Sequence, residues 1–262
     1  MKYSVFSKSV RGYSHELKNI VNQDYVIHKK FNENSFGIVA ADGHGTGVCF
    51  RSDIGAKIIS KLTIDFFENW NNQKISFEAG KFPKIIHALW MHSCMNHLSN
   101  NVFNYKELDK LDNKQKNKLR KNALIAYGTT LTAVYKTPDK YYIWKIGDGD
   151  VLLLKDKMVV HWEENTVLGE ETNSLASTDA SCCFESLEIE DIDVNAIMIS
   201  TDGYSKSFKT KNDFNKTIED YYYLINSNKE DYIISNLDNW LYETSKFGSG
   251  DDISIGVAIK SK

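Results

Sequence analysis

Four times in this chain an apolar run meets an aspartate beside glycine. The places are Val39-Ala40-Ala41-Asp42-Gly43, Trp144-Lys145-Ile146-Gly147-Asp148-Gly149, Met198-Ile199-Ser200-Thr201-Asp202-Gly203, and Gly248-Ser249-Gly250-Asp251-Asp252 entering Ile253. Asn22-Gln23-Asp24 entering Tyr25 adds a fifth. Each alone is ordinary turn chemistry, because Asp and Gly both favour turns. Five at the ends of apolar strands constrain the fold further. If the strands share one sandwich, the carboxylates converge at one end, where unpaired they repel and raise one another's pKa. A pair of divalent cations would resolve that repulsion. Oxygen donors without a consistent histidine spacing favour Mg²⁺ or Mn²⁺ over zinc.

The pattern between these sites predicts the elements that carry them. Strands are expected at Tyr3 to Val10, Tyr25 to Phe31 and Phe36 to Ala41, with Gly12 to Asn19 as a polar loop. Ser52 or Asp53 caps a helix whose Ile54, Ile58, Ile59, Leu62 and Phe66 follow the 3.6-residue period, and Lys84 to Leu98 is a second helix. From Tyr105 to Lys121 seven basic residues stand against three acidic ones, which reads first as a solvated helix or loop and second as a phosphate or partner patch. Gly128 to Lys136, Tyr141 to Ile146, Val151 to Lys155 and Met158 to His161 read as an antiparallel meander. Glu163 to Ser181 is a long polar stretch of the kind that forms a flap beside a site, before strands at Cys182 to Ile189 and Ala196 to Ser200. Ile233, Leu237, Trp240 and Leu241 mark a last helix and Ile253 to Ile259 a closing strand. The order implies an α+β fold with sheets packed between helices.

Composition narrows the function. A net charge of −3, from 32 basic and 35 acidic residues, gives no overall field toward nucleic acid or anionic lipid. No apolar run approaches the roughly 20 residues of a membrane helix, so a cytoplasmic protein without membrane or nucleic-acid partners is expected. Cys49, Cys94, Cys182 and Cys183 lack C-x-x-C spacing and read as reduced thiols. With two prolines and no linker or repeat, residues 1–262 read as one domain, with a helical and basic segment at about 69–122 and a flap at about 163–181. His87, His92 and His97 recur every five residues, which spreads them around a helix instead of stacking them as metal ligands. Gly128-Thr129-Thr130 lacks the G-K-[ST] of a nucleotide loop.

The ordered set Asn22-Gln23-Asp24, Ala41-Asp42-Gly43-His44-Gly45, Gly128-Thr129-Thr130-Leu131, Gly147-Asp148-Gly149, Ser200-Thr201-Asp202-Gly203 and Gly248-Ser249-Gly250-Asp251-Asp252 resembles the metal-dependent Ser/Thr protein phosphatases of the PP2C type, in their bacterial branch. The resemblance runs from about residue 5 to 259. It implies a central antiparallel β-sandwich flanked by helices on both faces, in four layers αββα, with a Mn²⁺ or Mg²⁺ pair at one end. Carried over, Asp42 bridges two metals, the Gly43 carbonyl binds one, Asp202 and Asp251 complete the other, and Asp148 matches the ligand of a third, weaker metal. Asp24 matches an acidic residue acting through metal-bound water. The implied chemistry is in-line attack of a metal-bridging hydroxide on phosphoserine or phosphothreonine of a protein, opposing a Ser/Thr kinase, with His44 protonating the leaving alkoxide.

Departures from the family pattern accompany it. Asn19 stands where many members have a phosphate-gripping arginine, so Arg11, His15 or Lys18 is expected to take that role. Gln23-Asp24 replaces Glu-Asp, Gly149 replaces a serine, and Asp252 replaces an asparagine. Two other readings keep the same surface: a catalytically weak or inactive relative that binds a phosphoprotein or partner, and a phosphatase of small phosphate esters.

Overall fold

In the strand β3 (Phe36–Ala41) every residue is buried, which a strand with one wet face would not allow. The computed structural model describes residues 2–74, 78–162 and 173–261 and shows why. Ile38 and Ala40 face a core between two sheets, whereas Val39 and Ala41 face a core beneath helices. The same division holds in the strand β9 (Ala196–Ser200), where Ile197 and Ile199 point into the sandwich and Ala196 and Met198 point to helices. Sheets covered on both faces read as continuous apolar runs, as these do.

One sheet has the order β2-β3-β4-β5-β8, from Tyr25–Lys30 (β2), β3, Leu131–Lys136 (β4), Lys140–Ile146 (β5) and Glu185–Glu190 (β8). The other has the order β1-β10-β9-β6-β7, from Lys2–Val10 (β1), Ile253–Ser261 (β10), β9, Asp150–Lys155 (β6) and Met158–Trp162 (β7). All pairings are antiparallel. The sheets approach closely enough that a Cβ on Gly256 would fall 2.3 Å from Ile38 Cγ2, so β10 needs glycine there.

Helices α2 (Ser52–Asn71) and α3 (Phe82–Asn100) cover the first sheet. Ala56, Ile59, Ile64 and Phe67 form the buried stripe of α2, and Phe67 stacks on Phe82, Tyr135 and Trp144 at ring-centroid distances of 5.6, 5.0 and 5.8 Å. Each such side chain contributes about 1.5–3 kcal/mol on burial. Helices α7 (Lys211–Asn226) and α8 (Glu230–Phe247) cover the second sheet through Phe214, Ile218, Tyr221, Ile225, Ile233, Leu237 and Leu241. The layers are therefore αββα, the α+β sandwich flanked on both faces that the sequence implied. No helix among the described residues is long and apolar enough to cross a membrane.

Several local expectations change. The expected meander is divided between the sheets: β4 and β5 pair in one, β6 and β7 in the other, and Gly147-Asp148-Gly149 is the crossing between them. Gly147 has φ +94°, and a Cβ there would meet Thr130 Cγ2 at 2.5 Å. The loop expected at Gly12 to Asn19 holds a short helix α1 (Tyr13–Leu17). The basic segment folds as α4 (Tyr105–Asp109) and α5 (Asn113–Lys121), each opened by a capping box, through Asn104 with Glu107 and Asp112 with Gln115. A short helix α6 (Asp202–Ser205) follows β9. Helix α7 was not expected, and β8 begins at Glu185 because Ala180–Cys182 forms a 3₁₀ turn. Cys49 and Cys94 are buried, Cys183 half-buried and Cys182 exposed, all as free thiols. Residues 163–172 of the expected flap lie outside the described residues.

Candidate active site

Antiparallel pairing brings the aspartates to one end of the sandwich. Tyr25 at the start of β2 pairs with Ala41 at the end of β3, so Asp24 and Asp42 are neighbours. Leu131 pairs with Ile146, which places Asp148 just beyond β5 at the same edge. Ser200 at the end of β9 pairs with Ile255 of β10 and Asp150 of β6, which brings in Asp202 and the Asp251-Asp252 loop from the second sheet. Asp42, His44, Asp148, Asp202 and Asp251 line one cavity of about 820 Å³.

The backbone at this end is held from several sides. Asp42 N donates to Thr130 Oγ1 (3.0 Å), and the Asp42 carbonyl accepts from Thr130 N (2.8 Å) and Thr129 Oγ1 (2.7 Å). At Gly43 a Cβ would lie 2.5 Å from the Gln23 carbonyl and 2.9 Å from Ser52, so only glycine fits between those segments. Gln23 Nε2 in turn donates to Ser52 Oγ (2.7 Å) and the His44 carbonyl (3.4 Å). Asp252, 3% exposed, accepts from the backbone N–H groups of Gly12 (2.6 Å) and Gln23 (2.7 Å), tying three loops to one carboxylate.

Electrostatics at the site follow from crowding. Burial pushes the Asp42 carboxyl well above its usual range, and Asp24, Asp202, Asp148 and Asp251 push it in the same direction. Asp24, 7% exposed, is raised by burial and then by Asp252, against a stabilising hydrogen bond from Thr201 Oγ1 (2.7 Å). Asp148 is raised by burial and by Asp202. Burial lowers His44, and Asp148 pulls it back upward. Lys206, four residues after Asp202 on the same turn of chain, donates to the Asp202 carboxylate and also lines the cavity.

The remaining predicted site residues lie elsewhere. His15 sits beside the acidic loop, with Nε2 3.6 Å from Asp251 and Nδ1 3.0 Å from Asp252, the latter an ion-pair contact without hydrogen-bond geometry. Arg11 faces Glu16 at 3.7 Å, and Lys18 is exposed at the end of α1. None of the three is among the described residues that line the cavity. Asn19 adopts φ 53°. The lysines that do line it, Lys118 and Lys206, went unassigned in the sequence. Lys206 carried a usable signal, the i, i+4 spacing from an aspartate that opens a helix. Lys118 lay within the basic run and had no feature separating it from its neighbours.

The donor set suits a hard divalent cation. Five aspartates line one cavity, Asp42, Asp148, Asp179, Asp202 and Asp251; burial and then neighbouring carboxylates raise Asp24, Asp42 and Asp148; and among the described residues the lining holds one imidazole, His44, and one thiol, Cys49. Among the described residues, the group of three potential ligands whose donor atoms all lie within 4.8 Å is His15, Asp251 and Asp252. Asp42, Asp148, Asp202 and Asp251 are arranged more widely around the cavity.

The sequence profile of the protein phosphatase 2C family matches residues 11–242. No curated protein matches the sequence significantly. Among solved structures, a bacterial serine phosphatase is similar at 15% identity over 100% of both chains with a TM-score of 0.59. The catalytic domain of the serine/threonine phosphatase PstP, solved in complex with two manganese ions, is similar at 14% identity over 99% of each chain with a TM-score of 0.59. Stp1 from Staphylococcus aureus is similar at 14% identity over 100% of this chain and 96% of that one, again with a TM-score of 0.59. These likenesses show a shared fold, and the profile match across most of the sequence makes this chain a member of the protein phosphatase 2C family of protein phosphatases.

Proposed function

We propose that the chain acts as one unit that removes phosphate from phosphoserine and phosphothreonine of proteins, with Mn²⁺ or Mg²⁺ held by Asp42, Asp202 and Asp251, the Gly43 carbonyl and, more weakly, Asp148. The observation that carries this reading is that Asp42, Asp148, Asp202 and Asp251 line one cavity with His44 at the end of the sandwich. When bound, divalent cations supply charge neutralisation for the phosphate and lower the pKa of coordinated water. The chain's own residues do the rest. Asp42 and Asp202 reach the cavity from different sheets, so the fold sets their separation. Asp24, buried and beside Asp252, is pushed toward its protonated form, against the hydrogen bond it accepts from Thr201.

His44, which lines the same cavity, is the residue we assign to pass a proton to the leaving alkoxide. Burial disfavours the imidazolium that this role needs, whereas Asp148 favours it, and a phosphate dianion in the cavity would add to the pull of Asp148. Arg11, His15 and Lys18 are proposed as a second rank outside the cavity lining, with His15 holding the Asp251-Asp252 loop. The reaction that supplies such a substrate is phosphoryl transfer to a Ser or Thr hydroxyl, the work of a protein kinase.

Hydrolysis of p-nitrophenyl phosphate and of a phosphothreonine peptide, with Mn²⁺ or Mg²⁺ against EDTA, tests the reading alongside Asp202→Ala. Metal-dependent turnover of both, reduced at least about a hundredfold in the variant, supports it. Folded, metal-loaded wild type without turnover favours the binding-protein reading instead, and turnover of small esters alone favours the small-substrate one.

A further inference from the structure

Helix α5 carries Lys114, Lys116, Lys118, Arg120 and Lys121 and no acidic residue. Its buried side chain is Leu119, which anchors one side, and Lys114, Lys118 and Lys121 at i, i+4 and i+7 share a stripe on the other. Among the described residues none of the five cations enters an ion pair, and Arg120 bonds only the neutral Asn117 (3.1 Å). The nearby Glu107 is taken by Arg51 at 2.8 Å, and Asp112 is spent on capping α5. A whole-chain charge of −3 means the cluster is not a by-product of a basic composition. The helix dipole accounts for cations in the last turn, but not for Lys114 in the first.

Position gives the cluster a use. Lys118 lines the same cavity as His44, Thr46, Cys49 and Asp42, and Gln115 Nε2 lies 3.5 Å from where a Cβ of Gly47 would stand. Helix α5 is thus the rim of the glycine loop that follows Asp42. The cavity floor carries Asp42, Asp148, Asp202 and Asp251; on its lining Lys118 of α5 stands with the exposed Asp179, and the rest of α5 is basic. A phosphorylated residue reaching the floor must lay its neighbours across that rim. Nine helical residues extend about 13 Å, the length of about four residues of extended peptide.

We propose that α5 selects substrates whose phosphorylated residue is flanked, within about four positions, by acidic or further phosphorylated residues. This rests on the phosphatase reading for the place of the reacting phosphate, but the rim itself can be tested without turnover. The probe is a fluorescent ten-residue peptide with an unphosphorylated threonine beside four glutamates, followed by anisotropy with metal-loaded protein, against the same peptide with four glutamines. In parallel, KM is measured for phosphothreonine peptides flanked by four glutamates, by phosphoserines or by glutamines, in wild type and in Lys114→Glu/Lys118→Glu/Lys121→Glu. The expected result is a preference for the acidic peptides of about tenfold at low salt, falling to less than about twofold at 0.5 M salt and lost in the triple variant. The glutamate and phosphoserine arms separate carboxylate from phosphate recognition, and preference for either supports the rim.

Equal affinity and equal KM for glutamate and glutamine peptides would overturn the proposal, as would a preference that survives charge reversal. Charge-dependent binding without turnover of any phosphopeptide leaves the rim standing and removes the phosphatase reading. Turnover without preference does the reverse.

Discussion

Replacing Asp252 by alanine should destabilise the protein more than replacing any single cavity aspartate, although Asp252 is not in the cavity lining. Its carboxylate accepts from Gly12 N at 2.6 Å and Gln23 N at 2.7 Å and meets His15 at 3.0 Å, all at 3% exposure. Alanine leaves both amides without a partner, at about 1–3 kcal/mol each, and leaves His15 facing an empty place. The two amides together give about 2–6 kcal/mol, and the narrower range of about 3–5 kcal/mol for breaking other buried charged contacts is the value expected. For a chain of this length that corresponds to a drop in Tm of about 6–20 °C. Asparagine keeps one oxygen for one amide and turns its own NH₂ toward the other, so about half of that loss is expected. Urea unfolding followed by circular dichroism, in EDTA so that metal binding does not contribute, reads both values. An Asp252→Ala variant within about 1 kcal/mol of wild type would show that the three loops are held together by something else, and would refute this account of the buried aspartate.

Gly203→Ala brings a Cβ to 2.1 Å from the Asp252 carbonyl, so α6 must shift together with Asp202. Turnover of p-nitrophenyl phosphate should fall on the order of a hundredfold, and a variant within twofold of wild type would contradict the tight approach. Phe67→Ala empties a site ringed by Phe82, Tyr135 and Trp144 and should cost about 3–5 kcal/mol in urea unfolding without altering the cavity residues. Because Asp24, Asp42 and Asp148 hold protons more tightly folded than unfolded, their contribution to stability falls as pH rises from about 4 through their raised values. Asp191 and Glu107, both lowered, act oppositely, so the quantity to measure is the difference between wild type and Asp42→Asn in EDTA. The variant should gain on wild type as pH rises from 4 to 7, and saturating Mn²⁺ should reverse the order; a difference that is flat with pH would refute the crowding argument.

The strand-end aspartates were legible because two local signals coincide at Asp42, Asp148 and Asp202, an apolar run that reads as a buried strand and an Asp-Gly pair that follows it, whereas Asp24 and Asp251 stand just before strands and only Asp251 has a glycine beside it. Antiparallel pairing then leaves little choice about where Asp24, Asp42, Asp202 and Asp251 go. Gly147-Asp148-Gly149 shows where this reasoning stops. The residues suit a hairpin and a crossing equally, and the outcome depends on which sheet can bury Val151 and Leu153 against Ile38 and Ile197, a matter of long-range packing. Helix α7 was legible in principle, since Phe214, Ile218, Tyr221 and Ile225 keep helical spacing behind the Thr210 cap, but the polar residues among them conceal the stripe. His15 illustrates a different limit. Sequence places it near the site, yet the direction of a side chain on a short helix is decided by its partners, here Asp251 and Asp252 from the far end of the chain.

The site also explains why the rest of the molecule is built as it is. Four carboxylates gathered around that of Asp42 oppose folding in the absence of counter-charge, and of the two cavity lysines among the described residues Lys206 is paired with one of them. Three separate apolar cores, one inside the sandwich and one under each helical layer, supply the stability that this end lacks. Apart from Lys206 on Asp202, the supporting contacts of Thr129, Thr130, Thr201 and the Gly12 and Gln23 amides fix the backbone and the aspartates set back from the cavity lining. Thr129 and Thr130 hold Asp42 by its backbone, Thr201 holds Asp24, and the amides of Gly12 and Gln23 hold Asp252. Fixing backbone and buried carboxylates in this way leaves Asp42, Asp148, Asp202 and Asp251 on the cavity lining, with Lys206 the cation paired to Asp202. A site that is to bind hard cations and a phosphate dianion requires that combination of rigid support and concentrated negative charge.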